Sequence, residues 1–271
     1  MGYETYSGIV AREVDVGDAD RYLTLLTVES GKLECYAKGI RGKKSKLASQ
    51  AGLMTYGEFY LFKNKDRLIL TSAKASEHFY DIRTDVEKCA YAVHFLEIAR
   101  DVIVESQAFA EALQTLLNAL YVLCYRELQP EFVSRVFELR ILALAGFAPA
   151  LDRCSICGAP FQDGGGDVKY GFAVDGDGLV CASAGCEDAA GRLVRLSPGA
   201  VRAIRYVSGC GARDIFNFTV NAEAARDLAA SVPEYLQYHF GKEYSKLGEV
   251  KRYRTFEREM NYKIIRKEHD K

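Results

Sequence analysis

At 271 residues the chain is longer than most single domains, and its 49% apolar content is enough for one or two cores. The charges nearly cancel, with 36 basic against 37 acidic residues, which argues against a uniformly basic nucleic-acid binder. No apolar run approaches the roughly 18 residues of a membrane span, and the opening MGYETYSGIV lacks the basic and apolar regions of a secretory signal, so a cytoplasmic protein is expected.

Residues 1 to about 80 read as β-structure. Ser7–Val10, Arg21–Thr27, Leu33–Ala37, Tyr56–Phe62 and Leu68–Thr71 are short runs rich in β-branched and aromatic residues. Glu29–Lys32 and Lys63–Arg67 read as hairpin connections. Five strands in this length suit a small closed barrel, either an OB-fold, whose loops and one face bind oligonucleotides, or an SH3-like barrel.

Between the third and fourth strands the segment AKGIRGKKSK carries Lys38, Arg41, Lys43, Lys44 and Lys46 with no acid among them. It imitates a phosphate-binding P-loop but departs from it twice. Ala37 stands where the first glycine belongs, and Lys44 where a hydroxyl must reach magnesium. Nucleotide hydrolysis is therefore not expected. Cations in a polar loop instead suit a polyanion, with Gly39 and Gly42 leaving the loop adaptable and Tyr36, Tyr56 and Phe59 available to stack bases if they share a face.

From Thr84 the period changes to that of helices. Thr84-Asp-Val-Glu87 reads as a capping box, followed by Val86, Ala90, Val93, Leu96 and Ile103 at helical spacing. Further helices are expected at about 108–126, from Pro130 to near Gly146, from Ser197-Pro198, and after an Asn221 cap. Charge is segregated here. Asp85, Glu87, Glu97, Asp101, Glu105 and Glu111 make the early helices acidic, whereas Lys251, Arg252, Arg254, Arg258, Lys263, Arg266 and Lys267 make the end basic.

Cys154-Ser-Ile-Cys157-Gly is a C-x-x-C knuckle, and Cys181 and Cys186 close a second pair. Two such pairs can surround one tetrahedral ion with four thiolates, so one structural zinc is expected within an insert at about 150–195. A disulfide framework does not suit a chain of this size and compartment, and a thioredoxin-type pair needs a βαβ setting. A zinc deaminase needs a proline where Arg153 stands and an H-x-E that His94 and Glu97 do not form. Asp175-Gly-Asp-Gly178 reads as a plain turn because Leu179 occupies a third EF-hand ligand position. Cys35, Cys89, Cys124 and Cys210 read as small core residues, and no catalytic triad or H-E-x-x-H motif is present. No enzyme is expected.

The whole is an α+β multidomain arrangement: an N-terminal OB-fold barrel over 1–80, then a helical domain over 81–271 with an inserted four-cysteine zinc knuckle. It resembles the bacterial recombination mediator family RecO. The residues that carry the resemblance are Ser7-Gly-Ile-Val-Ala-Arg12, Asp18-Ala-Asp20 with Leu23–Thr27, Ala37–Arg41 ending in Lys44-Ser-Lys46, and Phe137–Pro149 running into Leu151 and Cys154-x-x-Cys157-Gly. Tyr235–Phe240 fits the family's last regular helix. The resemblance implies binding to single- and double-stranded DNA, annealing of complementary strands, and work with RecR and single-strand-binding protein in loading RecA. It also implies a site for the acidic, phenylalanine-ended tail of single-strand-binding protein. Such a site needs cations around an apolar pocket, for which Arg126, Arg135, Arg140, Arg202 and Arg205 are the expected rim. Two other classes fit the residues: an RNA-binding OB/zinc protein, and a protein adaptor that binds no DNA.

Overall fold

A computed structural model describes residues 2–65, 67–104, 109–161 and 170–244. The chain opens with β1 (Gly2–Val16), β2 (Asp20–Thr27) and β3 (Gly31–Ala37), then one helical turn α1 (Leu47–Gln50), then β4 (Tyr56–Asn64) and β5 (Arg67–Glu77). They close into a barrel of order β1-β2-β3-β5-β4, antiparallel except where β3 meets β5. This is an OB-fold, and the SH3-like alternative falls away. Val10, Leu23, Leu25, Cys35, Phe59, Leu61 and Leu70 fill the interior. They do so by simple alternation, since successive residues of a strand face opposite sides.

The helical part follows as α2 (Tyr80–Arg83), α3 (Val86–Val102), α4 (Ala110–Tyr125) and α5 (Pro130–Leu144), with α7 (Pro198–Gly209) and α8 (Ala222–Phe240) after the insert. Thr84 does not begin a capping box. It ends α2, and Asp85 caps α3 by accepting from the Glu87 and Lys88 amides. The later caps stand as expected, with Ser197 accepting from Ala200 N and Asn221 from Ala224 N.

α5 is buried over its whole middle, Val133 to Leu142, because α3, α4, α7 and α8 all pack against it. A helix enclosed on every side is apolar all round, apart from charges that find partners. Phe137 meets Phe95 of α3 with ring centroids 4.6 Å apart. Ile9, Ala11 and Leu26, on the outside of the barrel, join the same core. One end of the barrel is thereby fastened to the helices, and the other end is left for the basic loop.

Between α5 and α7 lies the insert: β6 (Tyr170–Ala173), β7 (Leu179–Val180), α6 (Ala184–Ala189) and β8 (Leu193–Leu196), in a sheet of order β7-β6-β8. The strand expected from Val168 is described only from Tyr170, and the triple glycine at 164–166 lies outside the described residues. So does the basic stretch from Lys251 to Lys267.

Candidate nucleic-acid interface and metal centre

Lys38, Arg41, Lys43, Lys44 and Lys46 all lie exposed in the turn that joins β3 to α1. The turn is anchored rather than adaptable. Ile40 is driven into the barrel interior, the Gly39 amide donates to Asp20 Oδ1 at 2.6 Å, and Arg41 N donates to Ala19 O at 2.9 Å. Gly39 holds φ at +66°, the left-handed region where a side chain is strained. Two further turns, Gly42 N to Gly39 O and Ser45 N to Gly42 O, wind the segment so that its lysines project outward. Arg41 is partly spent, pairing with Asp15 at 3.4 Å and donating to Gly17 O. The four lysines have no ion pair among the described residues, and they hold unneutralised positive charge at one end of the barrel.

Cys154, Cys157, Cys181 and Cys186 come together with all four sulfurs within 4.8 Å of one another. A tetrahedral ion with sulfurs at about 2.3 Å separates them by about 3.8 Å, and Cys157 Sγ lies 3.8 Å from Cys181 Sγ. Local folding explains the placing. The first knuckle is closed by Cys154 N to Ala159 O and Gly158 N to Cys154 O, the second by β7 running straight into Cys181. Cys186 comes from the single turn and a half of α6.

The thiols themselves suit a cation. At Cys154 burial disfavours the thiolate, but amides of Cys157, Cys181 and Ile156 turned toward the sulfur outweigh it and bring the thiol to about 6. Cys186 is pushed up to about 12 by the neighbouring Cys181 thiol, by burial, and by the other two sulfurs. Four sulfurs this close cannot all be ionised without a positive ion between them, and with one they can. By contrast, burial lifts the Cys35 thiol to about 12, as befits an inert core residue.

Residues 1–79 match the family described as recombination protein O, N-terminal, and residues 83–247 match its C-terminal counterpart. The chain belongs to the RecO family. The DNA repair protein RecO of Acetivibrio thermocellus is 36% identical over 93% of this chain and 97% of its own length. Those of Moorella thermoacetica and Anaeromyxobacter sp. are 29% and 31% identical over 87% of this chain, covering 85% and 91% of their own lengths. The family is one of DNA repair and recombination mediators and not of enzymes. No described helix of this RecO-family chain is long and apolar enough to cross a membrane.

The arginines expected to rim a tail pocket divide. Arg126, Arg202 and Arg205 are exposed, with Arg205 pairing to Asp152 at 3.2 Å. Arg135 and Arg140 are buried, at 2% and 7% exposure, and cannot rim a surface pocket. Arg135 lies beside Glu138 Oε1 at 3.0 Å, where Ser134 and His94 Nε2 also donate. Arg140 pairs with Glu111 and donates to Ser208 O. The acidic early helices are likewise engaged, since Lys242 bridges Glu97 and Asp101 at 3.0 and 2.9 Å.

The aromatic residues divide too. Phe59 is wholly interior and Tyr56 packs toward the helices, so neither offers a face to a base. Tyr36 faces outward. Phe62, also outward, escapes a sequence reading because FYLF in β4 is apolar on both faces, and only the barrel's register separates it from Phe59; Tyr22 and Tyr3 stand outward on β2 and β1.

Proposed function

We propose that this protein binds single- and double-stranded DNA through the loop from Lys38 to Lys46, anneals complementary strands, and with RecR helps RecA displace single-strand-binding protein. The observation that carries the reading is the anchored turn of exposed, unpaired lysines on an OB barrel of a RecO-family chain. Phosphates are neutralised best by cations that stand on an anchored backbone and surrender no internal ion pair on binding. The metal at the four cysteines is zinc, held for structure, because four thiolates leave no open position for water. The protein works in the cytoplasm, at the nucleoid.

Annealing of complementary oligonucleotides by the wild type and by the Lys43→Ala/Lys44→Ala/Lys46→Ala variant tests this reading. Strong slowing in the variant is expected, and equal rates would move the DNA surface elsewhere. For the acidic tail of single-strand-binding protein, the exposed cations Arg202 and Arg205 beside Tyr206, whose ring packs on Phe218 at 5.1 Å, offer charge next to apolar surface. Arg126 is the outlying member. Weaker binding of a labelled tail peptide by Arg202→Ala and Arg205→Ala is the expected result, and wild-type binding by both would remove this site.

A further inference from the structure

Tyr22, Tyr36, Phe62 and Tyr3 stand in one row around the outside of the barrel. The backbone register sets it: Tyr22 pairs with Tyr36, Tyr36 with Ile69, Ile69 with Phe62, and Phe62 with Tyr3. Their strand neighbours Leu23, Cys35 and Leu61 are buried inside, so alternation turns this row outward. Ring centroids are 5.3 Å apart for Tyr22 and Tyr36, and 5.1 Å for Tyr3 and Phe62. Val14, paired with Tyr22, extends the row on β1.

At the other end of the barrel, the outward apolar residues Ile9, Ala11 and Leu26 are covered by helices. No described helix covers this row; the Arg67 side chain lies over the Tyr36 ring, and Tyr3, Val14 and Tyr22 remain 77%, 41% and 37% exposed.

The surroundings say what fits. The Arg67 guanidinium lies 4.2 Å from the Tyr36 centroid and 5.7 Å from that of Tyr22, and donates to the Tyr22 hydroxyl. Lys63 and Lys65 are exposed at the turn from β4 to β5. Three acids of the described residues near the row are engaged: Asp20 by the Tyr36 hydroxyl and the Gly39 amide, Asp15 by Arg21 and Arg41, Glu4 by Tyr6 and Lys63. Flat rings flanked by cations match a chain of bases on a phosphate backbone. Neighbouring strands step by about 4.8 Å, against about 3.4 Å between stacked bases. A single strand drawn slightly open lays bases against the two ring pairs, Tyr22 with Tyr36 and Phe62 with Tyr3, across the Ile69 side chain between them, whereas a duplex keeps its bases inside.

We propose that this row is a base-stacking platform for single-stranded DNA, with Tyr22, Tyr36 and Arg67 at one end and Phe62 and Tyr3 at the other. It rests on the reading of the basic loop as DNA-binding and adds a preference for unpaired strands. Asp20 ties the two together, bonding Tyr36 on the platform and Gly39 in the loop.

Oligonucleotides containing 2-aminopurine test it, read by fluorescence and by affinity on the full chain, with thermal melts confirming that each variant is folded. Tyr22→Ala and Tyr3→Ala should each weaken single-strand binding about five-fold or more and abolish the stacking signal. They should leave duplex affinity, abasic-strand affinity and the salt dependence at wild-type values, while Tyr22→Phe keeps the stacking signal. Unchanged single-strand binding by both alanine variants would overturn the proposal and leave the row to a protein partner. An equal loss on single-strand, duplex and abasic DNA would also overturn it. The loop reading fails separately, through an unchanged salt dependence in the triple lysine variant.

Discussion

A thiol that three backbone amides draw down to about 6, beside another held up near 12, marks the cysteine cluster as unfinished without a cation. One zinc per chain is therefore expected by elemental analysis of reductively purified protein, and Cys157→Ser should lose it. Chelator should lower the melting temperature of the wild type and leave that variant unmoved. A second residue-scale test concerns Glu138, which lies fully inside α5. Burial alone would raise its carboxyl, yet the Arg135 charge and the bond from His94 hold it below its ordinary value of 4.5. The charged form therefore stabilises the fold above about pH 4.5, and that contribution is lost as the pH falls through the lower folded value. Glu138→Gln leaves Arg135 buried without its counter-charge, which should cost about 3–5 kcal/mol in urea unfolding at pH 7. The difference between variant and wild type should narrow in acid. A constant difference from pH 7 to 3 would contradict the assignment.

At the scale of elements, strands and helices follow their sequence signals closely, and the exceptions have local causes. Thr84 and Asp85 are both good caps, and only the short helix α2 ending at Thr84 passes the role to Asp85. The burial of Arg135 and Arg140 was not legible, because α5 looks like a surface helix until tertiary packing brings Glu111 of α4 to Arg140 and His94 of α3 to Glu138, the acid that pairs with Arg135. The four cysteines were legible because metal spacing is local to each knuckle. What joins the knuckles was not: Gly178 takes φ +141° and lies so close to Ala150 that a Cβ would meet Ala150 O at 2.3 Å. Gly178→Ala should break the isolated bridge between Ala150 and Gly178 and lower zinc retention on dialysis, although no ligand is touched. Retention equal to wild type would show the bridge to be dispensable.

Over the whole molecule, the helices fasten one end of an OB barrel and leave its cationic turn and aromatic row exposed. The near-zero net charge conceals this, since the acids lie on helices where Lys242 and Arg140 partly absorb them. The same turn cannot serve ATP, because α1 is a single turn and offers no helix end to cradle phosphates. Annealing should proceed at full rate without ATP or magnesium, and an ATPase that copurifies and falls on changing Lys43 would contradict this. The most direct test of the central claim, that this RecO-family chain holds DNA through the Lys38–Lys46 turn, is the salt dependence of single-strand affinity. With three to five phosphate contacts the slope of log K against log salt should be roughly −2 to −3.5, and replacing Lys43, Lys44 and Lys46 with alanine should flatten it by about 2. A slope that the triple variant leaves unchanged would contradict the account.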